Sequence, residues 1–581
     1  MPVETNSSLI GAHPPRWRDR LASSEAMLTL AATAVVIGLI TGTVAIIFRI
    51  AIEWPLDQLF GSGNAEHFEQ LPPLARFLLP LLGALILATV WHFMRPRQRA
   101  TGVAHVLDRT YNFAGRLPFA NALAQFLGGI VALLSGQSMG REGPAVHLGA
   151  ACASLFGRRL KLPGNSRRTL IGCGVAAAIA ASFNTPLTGV IFAMEVVLLE
   201  YTVAGFLPVI LAAVTGASLA QWLYGSAPLF MLPNLHSVSL AELPILALGG
   251  VLIGGYAALQ LRLFARLRSA GSGWLSGLAR RPVAVRFSLA GLLTGAMAVQ
   301  VPEVMGVGYD TVQLALLGQL TVTSLLVIAA AKGLTFIVSA AVGLPAGSVG
   351  PAVVMGAVGG AALASLAALL LPDSHSSVAL YATAGIAAML AALINAPLAG
   401  LLAVIELTGN HKLLMPAMVM VATATLTARF SSGLPGIFAI GLAGNNYASA
   451  RFRALSRVSV MAAMERNIAV LNQPQLSKTA TDALLRHHPR YLLLKLDNGT
   501  VVINGAEGLA ALGLESSLDW SELAGDPSSA AAIDNTATLS DALEKMDRAA
   551  TDWVFVAQSA PYKSVPSIAG VLSRSMIAQH Y

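Results

Sequence analysis

Residues 26–450 are almost continuously apolar, whereas 451–581 have the mixed pattern of a soluble chain. A membrane-spanning helix needs about 20 apolar residues. Uninterrupted runs of that kind cover Ala26–Phe48, Arg76–Phe93, Phe206–Leu223, Leu243–Leu261, Val285–Val299, Ser324–Ala341 and Met415–Arg429. Between them lie apolar stretches cut by Gly and Pro, at 118–157, 169–200, 343–371 and 377–408. Broken helices are tolerated at membrane depth only where the freed backbone is buried in protein or lines a cavity. In transporters such interrupted segments, in matching halves of the chain, point to the binding site.

The halves do match. Phe183-Asn184-Thr185-Pro186-Leu187-Thr188-Gly189, running on to Glu195, recurs as Ile394-Asn395-Ala396-Pro397-Leu398-Ala399-Gly400, running on to Glu406. Gly174 pairs with Gly385 at the same offset, and the breaks Gly143-Pro144 and Gly350-Pro351 repeat at nearly that spacing. Chance likeness of two Ala/Leu-rich stretches is the alternative, but it does not readily keep Asn, Pro, Leu, Gly and Glu in register. Two repeats follow, about 30–220 and 240–448, within a membrane domain at 26–450. Their topology is open to being inverted. Glu195 and Glu406, each closing an equivalent helix, read as structural carboxylates that bond backbone or a neighbouring helix.

The tail, 451–581, carries two weakly similar units. Tyr491–Lys495 and Thr500–Ile503 flank Asp497-Asn498-Gly499, a hairpin signal, with a helix expected at Ala506–Leu512. A second helix, Leu539–Ala549, precedes strands Trp553–Ala557 and Ile568–Leu572. A paired α/β module is the reading.

Composition narrows the class. Of 581 residues, 55% are hydrophobic and only 11% charged, against about 25% charged in soluble domains, so lipid solvates most of the chain. The net charge of +8 reflects topology. Arg16, Arg18 and Arg20, the group Arg158 to Arg168, Arg262 to Arg281, and Arg451, Arg453 and Arg457 sit in short basic segments. Such segments stay in the cytoplasm, which places both termini inside, the N-terminal segment 1–25 among them. No aromatic interleaving supports nucleic-acid binding. Cys152 and Cys173 give neither a disulfide framework nor a metal site. The first apolar stretch is too long for a signal peptide and lacks a small-residue cleavage site. The sequons at Asn6 and Asn498 fall in segments read as cytoplasmic.

One pentapeptide concentrates the chemistry. Gly140-Arg141-Glu142-Gly143-Pro144 sets a carboxylate between helix breakers inside apolar sequence, where an ionised side chain costs roughly 3 kcal/mol or more. If a helix opens at Gly143-Pro144, its N-terminal N–H groups face whatever Glu142 faces. The carboxylate then competes with an anion for the positive dipole end. That arrangement is a gate, and an acidic residue capping a helix is the plainer alternative.

That pentapeptide, the duplicated Asn-x-Pro-Leu-x-Gly segments and Gly347-Ser348-Val349-Gly350-Pro351 together resemble the CLC family of chloride channels and chloride/proton exchangers, over roughly residues 30–450. The resemblance implies an α-helical polytopic membrane protein with inverted repeats and broken helices, one pore in each subunit of a homodimer, and a central anion site at helix N-termini. The tail resembles the paired cystathionine-β-synthase-type (CBS) domains of many members, here degenerate. Such domains sometimes bind adenine nucleotides, but no ribose-binding acidic position is evident here, and structural support of the dimer is the preferred role. Glu142 matches the gating glutamate, which blocks the outer anion site when ionised and swings away when protonated. Arg141 and Gly143 flank it, and Ser348, Val349 and Gly350 match the loop whose backbone N–H groups face the anion, with Val349 where Phe is usual.

The signature Gly-Ser-Gly-Ile-Pro reads Ala100-Thr101-Gly102-Val103-Ala104 here. Thr101 keeps the hydroxyl that helps choose chloride, and it also suits an ordinary N-cap. The missing proline leaves nitrate, bromide and fluoride open. The family's central tyrosine falls on Ile437, next to Phe438, which makes the inner constriction apolar. The family's inner proton-relay glutamate falls on Val196, which cannot carry a proton. The resulting expectation is channel-like or weakly proton-coupled anion conduction gated by Glu142, with chloride/proton exchange through a non-standard inner route as the alternative. The resemblance implies neither enzyme activity nor a cofactor, and places the protein in a bacterial inner membrane. Two rivals were weighed. Gly136-Gln137-Ser138-Met139-Gly140 fits a hydrolase nucleophile pattern but lies in apolar membrane sequence, with only His147 nearby, itself read as a satisfied core residue. A receptor or scaffold signalling through the tail has no use for the buried carboxylate. Lys332, at the start of an apolar segment, reads as snorkelling to an interface.

Overall fold

The computed structural model describes residues 27–61, 67–232, 239–269, 277–371, 377–440, 442, 450–471, 475–476, 488–496, 501–505, 518–519, 528–558 and 567–580. They fall into two compact units. One holds Ala31–Phe156 and Thr169–Ala443; the other holds the described parts of Met1–Leu30, Gly157–Arg168 and Gly444–Tyr581. The N-terminal segment 1–25, the turn Asp497-Asn498-Gly499 and the expected helix Ala506–Leu512 lie outside the described residues.

The first unit is helical: α1 (Met27–Phe60), α2 (Pro73–Phe93), α3 (Gly102–Asn112), α4 (Phe119–Leu134), α5 (Glu142–Arg159), α6 (Gly164–Phe183), α7 (Pro186–Phe192) and α8 (Val203–Tyr224) make its first half. The second half is α9 (Leu243–Arg268), α10 (Val283–Gln300), α11 (Tyr309–Leu316), α12 (Val322–Val342), α13 (Val349–Leu370), α14 (Val378–Ile394), α15 (Pro397–Thr408) and α16 (Leu414–Ser432). Eight helices among the described residues are long and apolar enough to cross a membrane, α13 among them. Sequence had placed 343–371 with the broken segments. Its Gly-Pro lies in the first turn, where proline fits without a kink, so the helix beyond it is continuous. Likewise α1 runs past Phe48 to Phe60, with Pro55 inside.

The repeat is visible residue by residue. Asn184 and Asn395 both adopt left-handed backbone, at φ 56° and 63°, between α6 and α7 and between α14 and α15. A Cβ on Gly149 of α5 would strike the Gly174 carbonyl of α6, and one on Gly356 of α13 would strike the Gly385 carbonyl of α14. Backbones meet at those glycines because only glycine lets them. Across the repeats, Glu195 accepts from the N–H groups of Leu398 (3.2 Å) and Ala399 (2.9 Å) at the start of α15. Glu406 reciprocally accepts from those of Leu187 (2.8 Å) and Thr188 (2.7 Å) and from the Thr188 hydroxyl (2.6 Å) at the start of α7. Each carboxylate satisfies orphan donors of the other repeat's helix. The structural role read for both glutamates is what the geometry gives.

In the second unit six strands order as β1-β3-β4-β6-β7-β8: β1 Ile468–Leu471, β3 Tyr491–Lys495, β4 Val501–Gly505, β6 Ser528–Asp534, β7 Trp553–Gln558 and β8 Ser567–Ser573. A short pair, β2 Gln475–Leu476 with β5 Leu518–Asp519, stands apart. Parallel β1–β3 followed by antiparallel β3–β4 is repeated as parallel β6–β7 followed by antiparallel β7–β8. Two like units therefore join through β4 and β6. Helix α17 (Leu539–Ala549) crosses from β6 to β7, opened by a Thr538/Asp541 capping box.

Candidate functional site

The N-termini of α5 and α13 are held together by backbone. Gly140 and Gly347 exchange two hydrogen bonds, Gly140 N–H to Gly347 O at 2.8 Å and Gly347 N–H to Gly140 O at 2.6 Å. Glu142 is the first residue of α5 and is 2% exposed. Its carboxyl lies in the gap that these glycines leave open: a Cβ on Gly140 would overlap Oε2, one on Gly347 would come within 3.0 Å of it, and one on Gly350 within 3.3 Å of Oε1. Oε1 accepts a hydrogen bond from the Tyr309 hydroxyl at 2.8 Å. Oε2 has no hydrogen-bond partner among the described residues. A carboxylate thus sits between two helix N-termini, where an anion would sit.

A cavity opens beside it, lined by Glu142, Tyr309, Thr185 and Thr188 among its polar residues and by Val349, Phe192, Leu390 and Ile394 among its apolar walls. Thr101 lies at the N-cap of α3, yet its side chain makes no cap hydrogen bond, so the hydroxyl is not consumed there. Gly102, at φ +78°, gives its N–H to Gln125 Oε1 at 2.6 Å, and Gln125 Nε2 donates to Pro345 O at 2.7 Å. This link ties the start of α3 to the loop before α13. Ser348 is the N-cap of α13 and Gly350 lies in its first turn. Ile437 and Phe438 are buried: Ile437 N–H bonds Leu393 O at 3.0 Å, and the Phe438 ring meets Phe192 edge-on at 6.5 Å. Neither offers a hydroxyl.

Arg141 points elsewhere than the carboxyl. Its Nη1 pairs with Glu53 of α1 at 2.8 Å, and its guanidinium lies over the rings of Phe183 and Tyr309. Val196 is buried in a π-helical turn, Ala193–Leu198, whose carbonyls at Val197 and Leu198 are bonded by the Tyr111 hydroxyl of α3. Its neighbour Glu195 is committed to α15 and does not stand in for it.

Three residues change their sequence reading. Tyr309 was not anticipated; it opens a short helix far along the chain from Glu142, and no local pattern connects the two. Lys332 does not snorkel: it is fully buried in α12, its Nζ within 3.3 Å of the Glu303 carbonyl, 3.1 Å of Val304, 3.2 Å of Met305 and 2.9 Å of Gly306. It therefore anchors the loop that leads into Tyr309. His147 is not an ordinary satisfied core histidine: its Nε2 meets His105 Nδ1 at 2.9 Å, while its own Nδ1 has no partner among the described residues.

Fold and site define a polytopic helical membrane protein with inverted repeats and a carboxylate at paired helix N-termini, followed by a CBS-like α/β module. A family model described as voltage gated chloride channel matches residues 82–429. The chain belongs to that family, the CLC family, and CLC-type anion transport is its activity. A protein from Ralstonia nicotianae named for its likeness to the chloride channel ClcB is 31% identical over 389 residues, 66% of this chain and 89% of that relative. The H(+)/Cl(-) exchange transporter ClcA of Citrobacter koseri is 27% identical over 423 residues, 72% of this chain and 89% of the relative. A solved eukaryotic CLC transporter superposes with a TM-score of 0.56 at 18% identity, covering 94% of this chain and 98% of its own.

Proposed function

We propose that this protein exchanges chloride for protons across a bacterial plasma membrane, with Glu142 as the moving gate and one pore in each subunit of a homodimer. The observation that carries this reading is the Glu142 carboxyl seated between the N-termini of α5 and α13. Ionised, it holds the place of an anion on the dipole ends. Protonated, it loses that hold, leaves, and chloride takes the backbone N–H groups around Ser348, Val349 and Gly350 and the hydroxyl of Thr101, which makes no cap hydrogen bond. On the other side it releases its proton, and the carboxylate, ionised again, returns to the helix ends and expels the anion. Exchange is preferred to the channel-like conduction expected from Val196 because relatives at 27% identity are named exchange transporters. The channel-like reading keeps one observation in its favour, the buried valine where the family relays protons. Ile437 and Phe438 form the apolar inner constriction. The basic ends of α5 (Arg158, Arg159) and α9 (Arg266, Arg268) face the cytoplasm by the positive-inside rule, together with both termini. The tail's role in this reading is support of the dimer, in preference to binding an adenine nucleotide.

The test is flux through Glu142→Gln in proteoliposomes. Chloride efflux at neutral pH should rise several-fold and lose most of its pH dependence, while the wild type speeds up as pH falls. A variant that keeps the wild-type pH profile removes Glu142 from the gate.

A further inference from the structure

With valine at 196 and Glu195 occupied, exchange needs another inner carrier. The segment after α3 is tied to α5: Leu117 N–H donates to Ser154 Oγ at 2.9 Å, and Ser154 donates to Gly115 O at 2.6 Å. Between α3 and α5 lie His105, 5% exposed, and His147, fully buried. His147 is five residues along α5 from Glu142, about 7.5 Å of helix rise. Its neighbour Val146 lines the same cavity as Glu142.

The hydrogen bonds fix the proton positions. Arg109 can only donate, and its Nε lies 3.1 Å from His105 Nε2, so that nitrogen is bare. His105 therefore carries its proton on Nδ1 and donates it to His147 Nε2. His147 in turn carries its proton on Nδ1, the atom left without a partner among the described residues. The chain Arg109, His105, His147 is polarised in one direction and ends on an unspent N–H.

We propose that His105 and His147 form the inner limb of the proton route, relaying protons from the cytoplasmic end of α3 along α5 toward Glu142; this rests on the exchange reading above. When Arg109 gives way, a proton added to His105 Nε2 sends the Nδ1 proton to His147 Nε2, and His147 releases its own Nδ1 proton. One proton enters, one leaves, and rotation of the two rings resets the pair. The charged neighbours of His105 are Arg109 and Asp108, both on α3, while the titratable group facing His147 is His105 itself. The buried position costs a neutral imidazole little and makes a lasting imidazolium expensive, which suits a relay better than a store.

The experiment measures proton uptake and chloride efflux together in proteoliposomes holding the full chain, for the wild type, His147→Gln and His105→Gln. The proton-to-chloride ratio should fall by about tenfold or more in either variant, since an amide has no titratable proton. A structural defect alone would slow both fluxes and leave their ratio unchanged. Should one variant fail to fold, the other, on the neighbouring helix, is read by the same ratio. A wild-type ratio in a folded variant overturns the relay and leaves exchange standing. A wild type that moves no protons overturns exchange, and the relay with it.

Discussion

Besides the helix ends, one side chain holds the Glu142 carboxyl among the described residues, the Tyr309 hydroxyl. The Tyr309 bond at 2.8 Å is a hydrogen bond to a charged group, the stronger kind. Tyr309→Phe should therefore raise chloride flux at neutral pH in the same sense as Glu142→Gln but less; an unchanged flux would mean that the seat depends on the helix ends alone. In the tail, the Asn467 N–H first, then Arg490 and the Arg466 N–H, hold the Glu465 carboxyl below its usual range. A depressed carboxylate stabilises the fold above its unfolded pKa, and that stability is lost as pH falls through the folded value. Hydrogen exchange at β1 and β8 in the full chain should show Glu465→Gln less protected than wild type at neutral pH. The gap should close below about pH 4. Glu142 stands out in sequence as a charge between helix breakers in apolar surroundings, although a helix cap explains it as readily at that level. Tyr309, the His105–His147 pair and the seat of Lys332 are not legible there, because each depends on contacts between helices distant in sequence.

At the scale of elements, the cross-capping of α7 by Glu406 and α15 by Glu195 is the repeat's own signature. Glu406→Ala should destabilise the folded protein by about 2 kcal/mol, the upper range for losing a helix cap, with Glu406→Gln milder because it keeps an acceptor. Thermal unfolding in detergent reads the difference, and equal losses would deny the capping role. Gly149→Leu and Gly356→Leu force a side chain into facing backbone, so neither should give a monodisperse peak on gel filtration. The Asn-x-Pro-Leu match makes the duplication legible in sequence, but which helix each glutamate caps depends on packing between the repeats. The uninterrupted α13 was misjudged by local reasoning, which weighed its Gly-Pro as a break and not as a start.

At the scale of the molecule, apolar length and interrupted helices implied a membrane fold, and the doubled parallel-then-antiparallel strand pattern bears out the paired tail. Coupling is where two observations pull apart: the valine at 196 weighs against exchange, whereas relatives at 27% identity are named exchange transporters. The most direct measurement is proton movement during chloride efflux from proteoliposomes under an outward chloride gradient. Chloride leaving should drive proton uptake against the proton's own gradient. Rapid chloride efflux with no uphill proton uptake would contradict the account and make the protein an uncoupled conductor.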